Sequence, residues 1–334
     1  MPFTLQLWCT TCIGCRDHLT RVLDTARDQL LAELPSVTPV AGDFASAFPA
    51  VSAAGDRAAI ARGHTVEVYE LPNSRLVRVI MHSAAVNAAA FAPVGHDLVR
   101  GATDGSLLVT RDGREPIALP TSAGGIDAVG FLMDGRAVAS DARRRLQIYD
   151  SDRASVIGDL ELPTRVELLR PSPDRHRLVT IPSHTGKAAP PLLWDLERYR
   201  LVAQLEEHVG RVFTARYVDG GHAIVTVGTD GMARLWNGET GLLLSTYRSA
   251  SRYLVDAVVT SDGSMVIAGG SDGLLWFWER ATARPLWTLQ AHRSHILGVH
   301  LEGDEIVTRG FDGDVARWNL PNPAQVIEAV FQDR

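Results

Sequence analysis

Two sets of four residues could do chemistry by their types alone: His208, Thr226, Asp230 and Trp236, and again His292, Thr308, Asp312 and Trp318, with the same steps from Thr to Asp to Trp. A hydroxyl, an imidazole and a carboxylate are the parts of a nucleophile, its base and the group that orients the base. A nucleophile, however, needs an exposed oxygen in a pocket, and a set that recurs at equivalent positions of a repeat is what architecture produces. These residues are therefore expected to form closed networks in which imidazole, hydroxyl, carboxylate and indole N–H satisfy one another away from water.

A second set is Cys9, Cys12, Cys15 and His18. Thiolates and imidazole are zinc ligands, and a Cys-x2-Cys pair is the usual half of a structural site. Four ligands inside ten residues are packed more tightly than in most zinc folds, so reduced thiols at a strand-to-helix junction compete with zinc. No other cofactor is expected, because the phosphate-cradling Gly-x4-Gly-Lys and His-Glu-x-x-His patterns are absent from the sequence and glycine pairs such as Gly269-Gly270 serve hairpins.

A third set is basic. Arg143, Arg144 and Arg145 fall in a turn after a second strand, Arg211, Arg252 and Arg293 precede three successive first strands, and Arg309 lies on a second strand near the same rim. Guanidinium groups gathered there would favour partners bearing carboxylates or phosphates. The competing reading is scattered, solvated arginine in a chain whose one lysine is Lys187.

The elements that must position these groups are short strands. From His208 to Trp236 three apolar runs, Val212 to Tyr217, Ala223 to Val227 and Ala233 to Trp236, are separated by Asp219-Gly220-Gly221 and Asp230-Gly231, and Leu242 to Tyr247 adds a fourth. Seven hairpin turns recur at a spacing near forty residues: Gly55-Asp56, Val94-Gly95, Asp134-Gly135, Pro173-Asp174, Asp219-Gly220, Asp262-Gly263 and Gly303-Asp304. A four-stranded sheet of this size cannot bury both faces alone and needs neighbours like itself.

Here the chain resembles the WD-repeat (WD40) β-propeller family, whose repeat carries such a tetrad and ends in Trp-Asp. Trp194-Asp195 is the literal copy, with Trp236-Asn237, Trp278-Glu279, Trp318-Asn319 and Tyr149-Asp150 in its place elsewhere. The resemblance implies an all-β fold: a seven-bladed β-propeller of four-stranded antiparallel blades over residues 35–320. The blades are unequal. The second has Arg100 and Thr110 where the hydroxyl and Trp belong, the fourth has a long loop from Ser183 to Pro191, and the sixth has Ala268 for the hydroxyl. Residues 36–41 are expected to supply the outer strand of the seventh blade, a proline being tolerated on an edge.

Ahead of the blades, Phe3 to Trp8 alternates like a strand, and Leu19, Val22, Leu23, Ala26, Leu30 and Leu34 fall at helical spacing before Pro35. Residues 1–34 thus read as a strand, a Cys-rich turn and an amphipathic helix, and residues 321–334 as a helical tail. A blade strand followed by cysteines and a helix resembles the ends of arrays in large bacterial signalling proteins, so the chain is expected to be a section of a longer one.

Net charge of −6 argues against indiscriminate nucleic-acid binding, and no apolar run reaches the ~18 residues of a membrane span. With no signal peptide pattern at Met1-Pro2-Phe3-Thr4, a cytoplasmic protein is expected. The reading is a non-enzymatic scaffold or sensor that binds an acidic or phosphorylated protein or peptide on its loop-bearing face. The other class is a propeller hydrolase, for which Asn87, Asp127, Glu167 and Asp256 are the polar candidates on inner strands.

Overall fold

The structure is a computed structural model that describes residues 6–8, 19–24, 29–35 and 50–320, apart from 72, 112–113, 122–123, 184–187 and 313. It divides into two compact units, residues 1–186 with 194–201 and residues 187–193 with 202–334.

Unit 1 begins with a three-stranded sheet of β1 (Gln6–Trp8), β2 (Leu19–Asp24) and β3 (Gln29–Pro35). The helix expected over this stretch is not there. Leu19 pairs with Pro35 and Val22 with Ala32 in an antiparallel hairpin whose outer neighbour is β1. The same leucines serve a helix or a twisted hairpin, and an open edge on β1 supplies the backbone partners that decide for strands. Cys9, Cys12, Cys15 and His18, the proposed edge strand 36–41 and the tail 321–334 lie outside the described residues.

Three four-stranded antiparallel sheets follow in unit 1. The first comprises β4 (Ala50–Val51), β5 (Arg57–Arg62), β6 (Thr65–Glu70) and β7 (Arg75–Met81), and the second β8 (Val86–Phe91), β9 (Leu98–Ala102), β10 (Leu107–Thr110) and β11 (Ile117–Leu119). The third comprises β12 (Ile126–Phe131), β13 (Ala137–Asp141), β14 (Arg145–Asp150) and β15 (Ser155–Glu161). The division between the units runs through the fourth, with β16 (Val166–Pro171), β17 (Arg177–Pro182), β18 (Leu192–Asp195) and β19 (Arg200–Gln204).

Unit 2 holds the fifth sheet, β20 (Val212–Val218), β21 (Ala223–Gly228), β22 (Met232–Asn237) and β23 (Leu243–Arg248), and the sixth, β24 (Leu254–Val259), β25 (Met265–Gly270), β26 (Leu274–Glu279) and β27 (Pro285–Gln290). The seventh has three described strands, β28 (Ile296–Glu302), β29 (Glu305–Gly310) and β30 (Val315–Asn319). Within unit 2 the three sheets bury their apolar alternation against one another. Val225, Val227 and Leu235 of the fifth meet Leu254, Ala257 and Trp278 of the sixth, and Val258, Ile267 and Phe277 of the sixth meet Ile296, Val299 and Ile306 of the seventh.

All seven turns expected from the sequence join first strands to second strands. Three of them share one device: the Ser52, Ser172 and Thr260 hydroxyls accept the N–H of Arg57, Arg177 and Met265 at 3.0, 2.9 and 3.0 Å. At the left-handed position these turns carry Gly55 (φ 71°), Gly263 (φ 70°) and, out of pattern, Arg175 (φ 74°). A side chain there is strained, so Arg175→Gly is expected to stabilise the protein by about 0.5–1 kcal/mol. An unchanged urea midpoint would show that this turn carries no strain.

Candidate functional site

Each complete tetrad is one chain of hydrogen bonds. In the fifth sheet the Trp236 indole donates to Thr226 Oγ1 at 2.8 Å, Thr226 lies 2.8 Å from His208 Nε2, and His208 Nδ1 lies 3.0 Å from Asp230. Burial pushes the His208 pKa down, so the ring is neutral at pH 7. Arg234 Nη1 lies 2.7 Å from the same His208 Nδ1, so the nitrogen that faces Asp230 also faces a guanidinium. The seventh sheet repeats the chain at 3.0, 2.9 and 3.1 Å through Trp318, Thr308, His292 and Asp312.

Thr226 and Thr308 are 0% exposed, and each spends an oxygen lone pair on an indole. Neither hydroxyl can meet a substrate, which removes the nucleophilic reading. The aspartates do reach outward: Asp230 accepts the N–H of Val209 and Asp312 that of Arg293, at 3.1 and 3.0 Å. Buried chemistry thereby clamps the loops that precede β20 and β28.

Those loops carry the candidate surface. In six sheets the residue just before the first strand accepts a backbone N–H from the turn after the second strand; its identity is Ala85, Gly125, Arg165, Arg211, Tyr253 and His295 in order. Unit 1 has small residues or an ion-paired arginine there, while unit 2 has a guanidinium and two rings. A β-bulge recurs near the start of each of these first strands, and in β20 it falls at Phe213. Bulges re-aim the side chain they carry. The result is a ladder: Arg211 lies 5.6 Å over the Phe213 ring, Phe213 is 5.7 Å from Tyr253, Tyr253 is 5.5 Å from His295, and His295 is 5.8 Å from Phe311.

Phe213, Tyr253 and His295 are half-buried and Phe311 is 37% exposed. Arg252 and Arg293 stand exposed beside the rings, and Arg211 Nη2 is buried without a partner. Aromatic faces next to underused guanidinium groups can stack on a peptide and pair its carboxylates or phosphates. The other basic candidates are placed differently. Arg309 is 5% exposed, so it does not contribute to an open surface. Arg143, Arg144 and Arg145 belong to unit 1, on the β13–β14 turn, where Arg144 Nη1 donates to the Pro163 carbonyl at 3.2 Å and Arg145 Nε to Asp159 at 2.9 Å.

The polar residues considered for hydrolysis are occupied. Asn87 donates to the Ile126 carbonyl at 2.9 Å, Asp127 accepts Arg165 Nε at 2.8 Å, and Asp256 accepts both Arg216 at 2.9 Å and the Val299 N–H at 3.0 Å. Glu167 is likewise engaged. Asn87, Asp127 and Asp256 thereby tie successive first strands together within each unit. Among the described residues no three His, Cys, Asp or Glu side chains are grouped to hold a metal ion, and no helix is long and apolar enough to cross a membrane.

The sheets and tetrads define the class as the WD-repeat β-propeller type, and comparison with known proteins agrees. The chain is 23% identical over 292 residues to the guanine nucleotide-binding protein subunit beta of Zea mays, covering 77% of this chain and 75% of that one. It is 32% identical over 85 residues to WD repeat-containing protein RUP2 of Arabidopsis thaliana (25% and 23% covered) and 22% identical over 205 residues to Protein SPA1-RELATED 4 of the same plant (58% and 25%). The matches thus span about a quarter of the length of the latter two. The crystal structure of the computationally designed Ika8 protein superposes with a TM-score of 0.70 at 18% identity over 92% of both chains. No protein-family model matches.

Proposed function

We propose that the chain is a non-catalytic recognition module that holds an acidic or phosphorylated peptide of a partner protein against the ladder of unit 2. The observation that carries this reading is the unbroken run from Arg211 through Phe213, Tyr253 and His295 to Phe311, at loop positions clamped by Asp230 and Asp312. Rings supply rigid contact area at small entropic cost, and guanidinium groups supply the charge. The nearly lysine-free, alanine-rich composition fits a cytoplasmic bacterial signalling protein.

The test is selection from peptide libraries rich in Asp, Glu and phosphorylated residues, followed by calorimetry. Tyr253→Ala is expected to weaken the selected peptide about 10- to 100-fold, and Arg211→Glu, Arg252→Glu and Arg293→Glu together to abolish binding and its salt dependence. If both variants bind as well as the unaltered protein, the ladder is not the site.

A further inference from the structure

We propose that unit 1 holds a binding site for a small carboxylate with an apolar tail, in a cavity between its first and second sheets. The cavity, of about 160 Å³, is walled by Val68, Val77, Ile80, Phe91 and Leu98. A dry cavity of about 150 Å³ accommodates benzene, so this one fits roughly six to eight heavy atoms. Four polar side chains also line it, Arg57, Arg78, His96 and Thr110, and none of the described residues lining it is a carboxylate.

The charges around the cavity do not balance. Arg57 lies 3.8 Å from Glu70, and His96 Nε2 lies 2.9 Å from Asp56. Arg78 has no described partner for its guanidinium. Behind Thr110 sits Arg100, 1% exposed, which donates Nη1 to Thr110 Oγ1 and leaves its Nε without an acceptor. Asp104, at the tetrad position of this sheet, turns instead to the Ser83 hydroxyl at 2.8 Å and the Ser106 N–H at 2.9 Å and makes no described ion pair with Arg100. Burial, with the neighbouring charge of Arg78, lowers the Arg100 pKa to about 10.

A buried cation without an anion is destabilising, and a carboxylate bound at Arg78 and Thr110 would supply the missing charge. Since Thr110 has spent a lone pair on Arg100, its own proton is available to donate. The apolar walls select a ligand whose other end is hydrocarbon.

Hexanoate and hexanamide, equal in shape and different in charge, test this by calorimetry and thermal melting. Hexanoate is expected to bind saturably and raise the melting temperature, and hexanamide to bind at least tenfold more weakly. Arg78→Gln, at a half-buried position that should fold normally, is expected to weaken hexanoate about tenfold without lowering the ligand-free melting temperature. Equal binding of the amide, an equal shift from sodium chloride at the same ionic strength, or an undiminished response in Arg78→Gln would each overturn the proposal.

Discussion

Replacing Asp230 by alanine is expected to cost about 3–5 kcal/mol of folding stability, the scale of breaking a buried charge pair by removing one partner. Asp230 lies 3.0 Å from His208 Nδ1 and accepts Arg234 Nη1 at 2.8 Å and two backbone N–H groups, from Val209 at 3.1 Å and Met232 at 3.2 Å. Without it the Arg234 guanidinium, 8% exposed, is left buried and uncompensated. Asp312→Ala is expected to cost less, about 1–3 kcal/mol, because Ala316 stands where the fifth sheet has Arg234 and no buried cation is stranded. Urea unfolding of both variants decides this. Equal losses would mean that Arg234 takes no part in the network's energetics, and no loss in either would mean that the tetrads are not structural.

The second large effect is loss of stability in mild acid. His300 is 7% exposed on β28; burial and then the charge of Arg216 hold its pKa down to about 4, against a smaller opposing pull from Asp256. Being neutral at pH 7, it forms no ion pair with Glu302, which lies 4.0 Å away. Below about pH 6.5 the unfolded chain takes up a proton on this imidazole that the folded protein refuses. Stability from this group is therefore complete above pH 6.5 and falls as the pH drops towards 4. A depression of this size corresponds to about 3 kcal/mol. The lowered pKa values of His208 and His82 add in the same direction. His300→Gln should flatten the dependence measured by urea unfolding between pH 7.5 and 4.5. A variant with the slope of the unaltered protein would show that His300 titrates normally when folded.

The blades were legible because their signals are local. Turn residues and period-2 runs are written in consecutive positions, and His, Thr, Asp and Trp recur at constant spacing. Other features depend on what the fold brings from elsewhere. Residues 19–35 satisfy helical and hairpin patterns alike, and the pairing edge of β1 that separates them is invisible in that stretch. The fourth sheet keeps half a tetrad, Trp194 donating to Thr180 at 3.0 Å, which the long loop between them disguises. In the second sheet Arg100 donates to Thr110, so the donor and acceptor positions have exchanged roles. The arginines of unit 2 stood out by type, but the rings joining them did not. Phe213 reaches Tyr253 through a bulge, and no spacing rule announces an extra residue in one strand.

The central claim is that the loop edge of unit 2 is where a partner sits. Hydrogen exchange of the protein with and without a selected acidic peptide tests it most directly, since protection maps to short segments. The account predicts new protection at residues 207–213, 250–255, 292–297 and 309–312, with the turns at 219–221, 261–264 and 302–305 unchanged. Protection confined to those turns, or to the strands of unit 1, would contradict it.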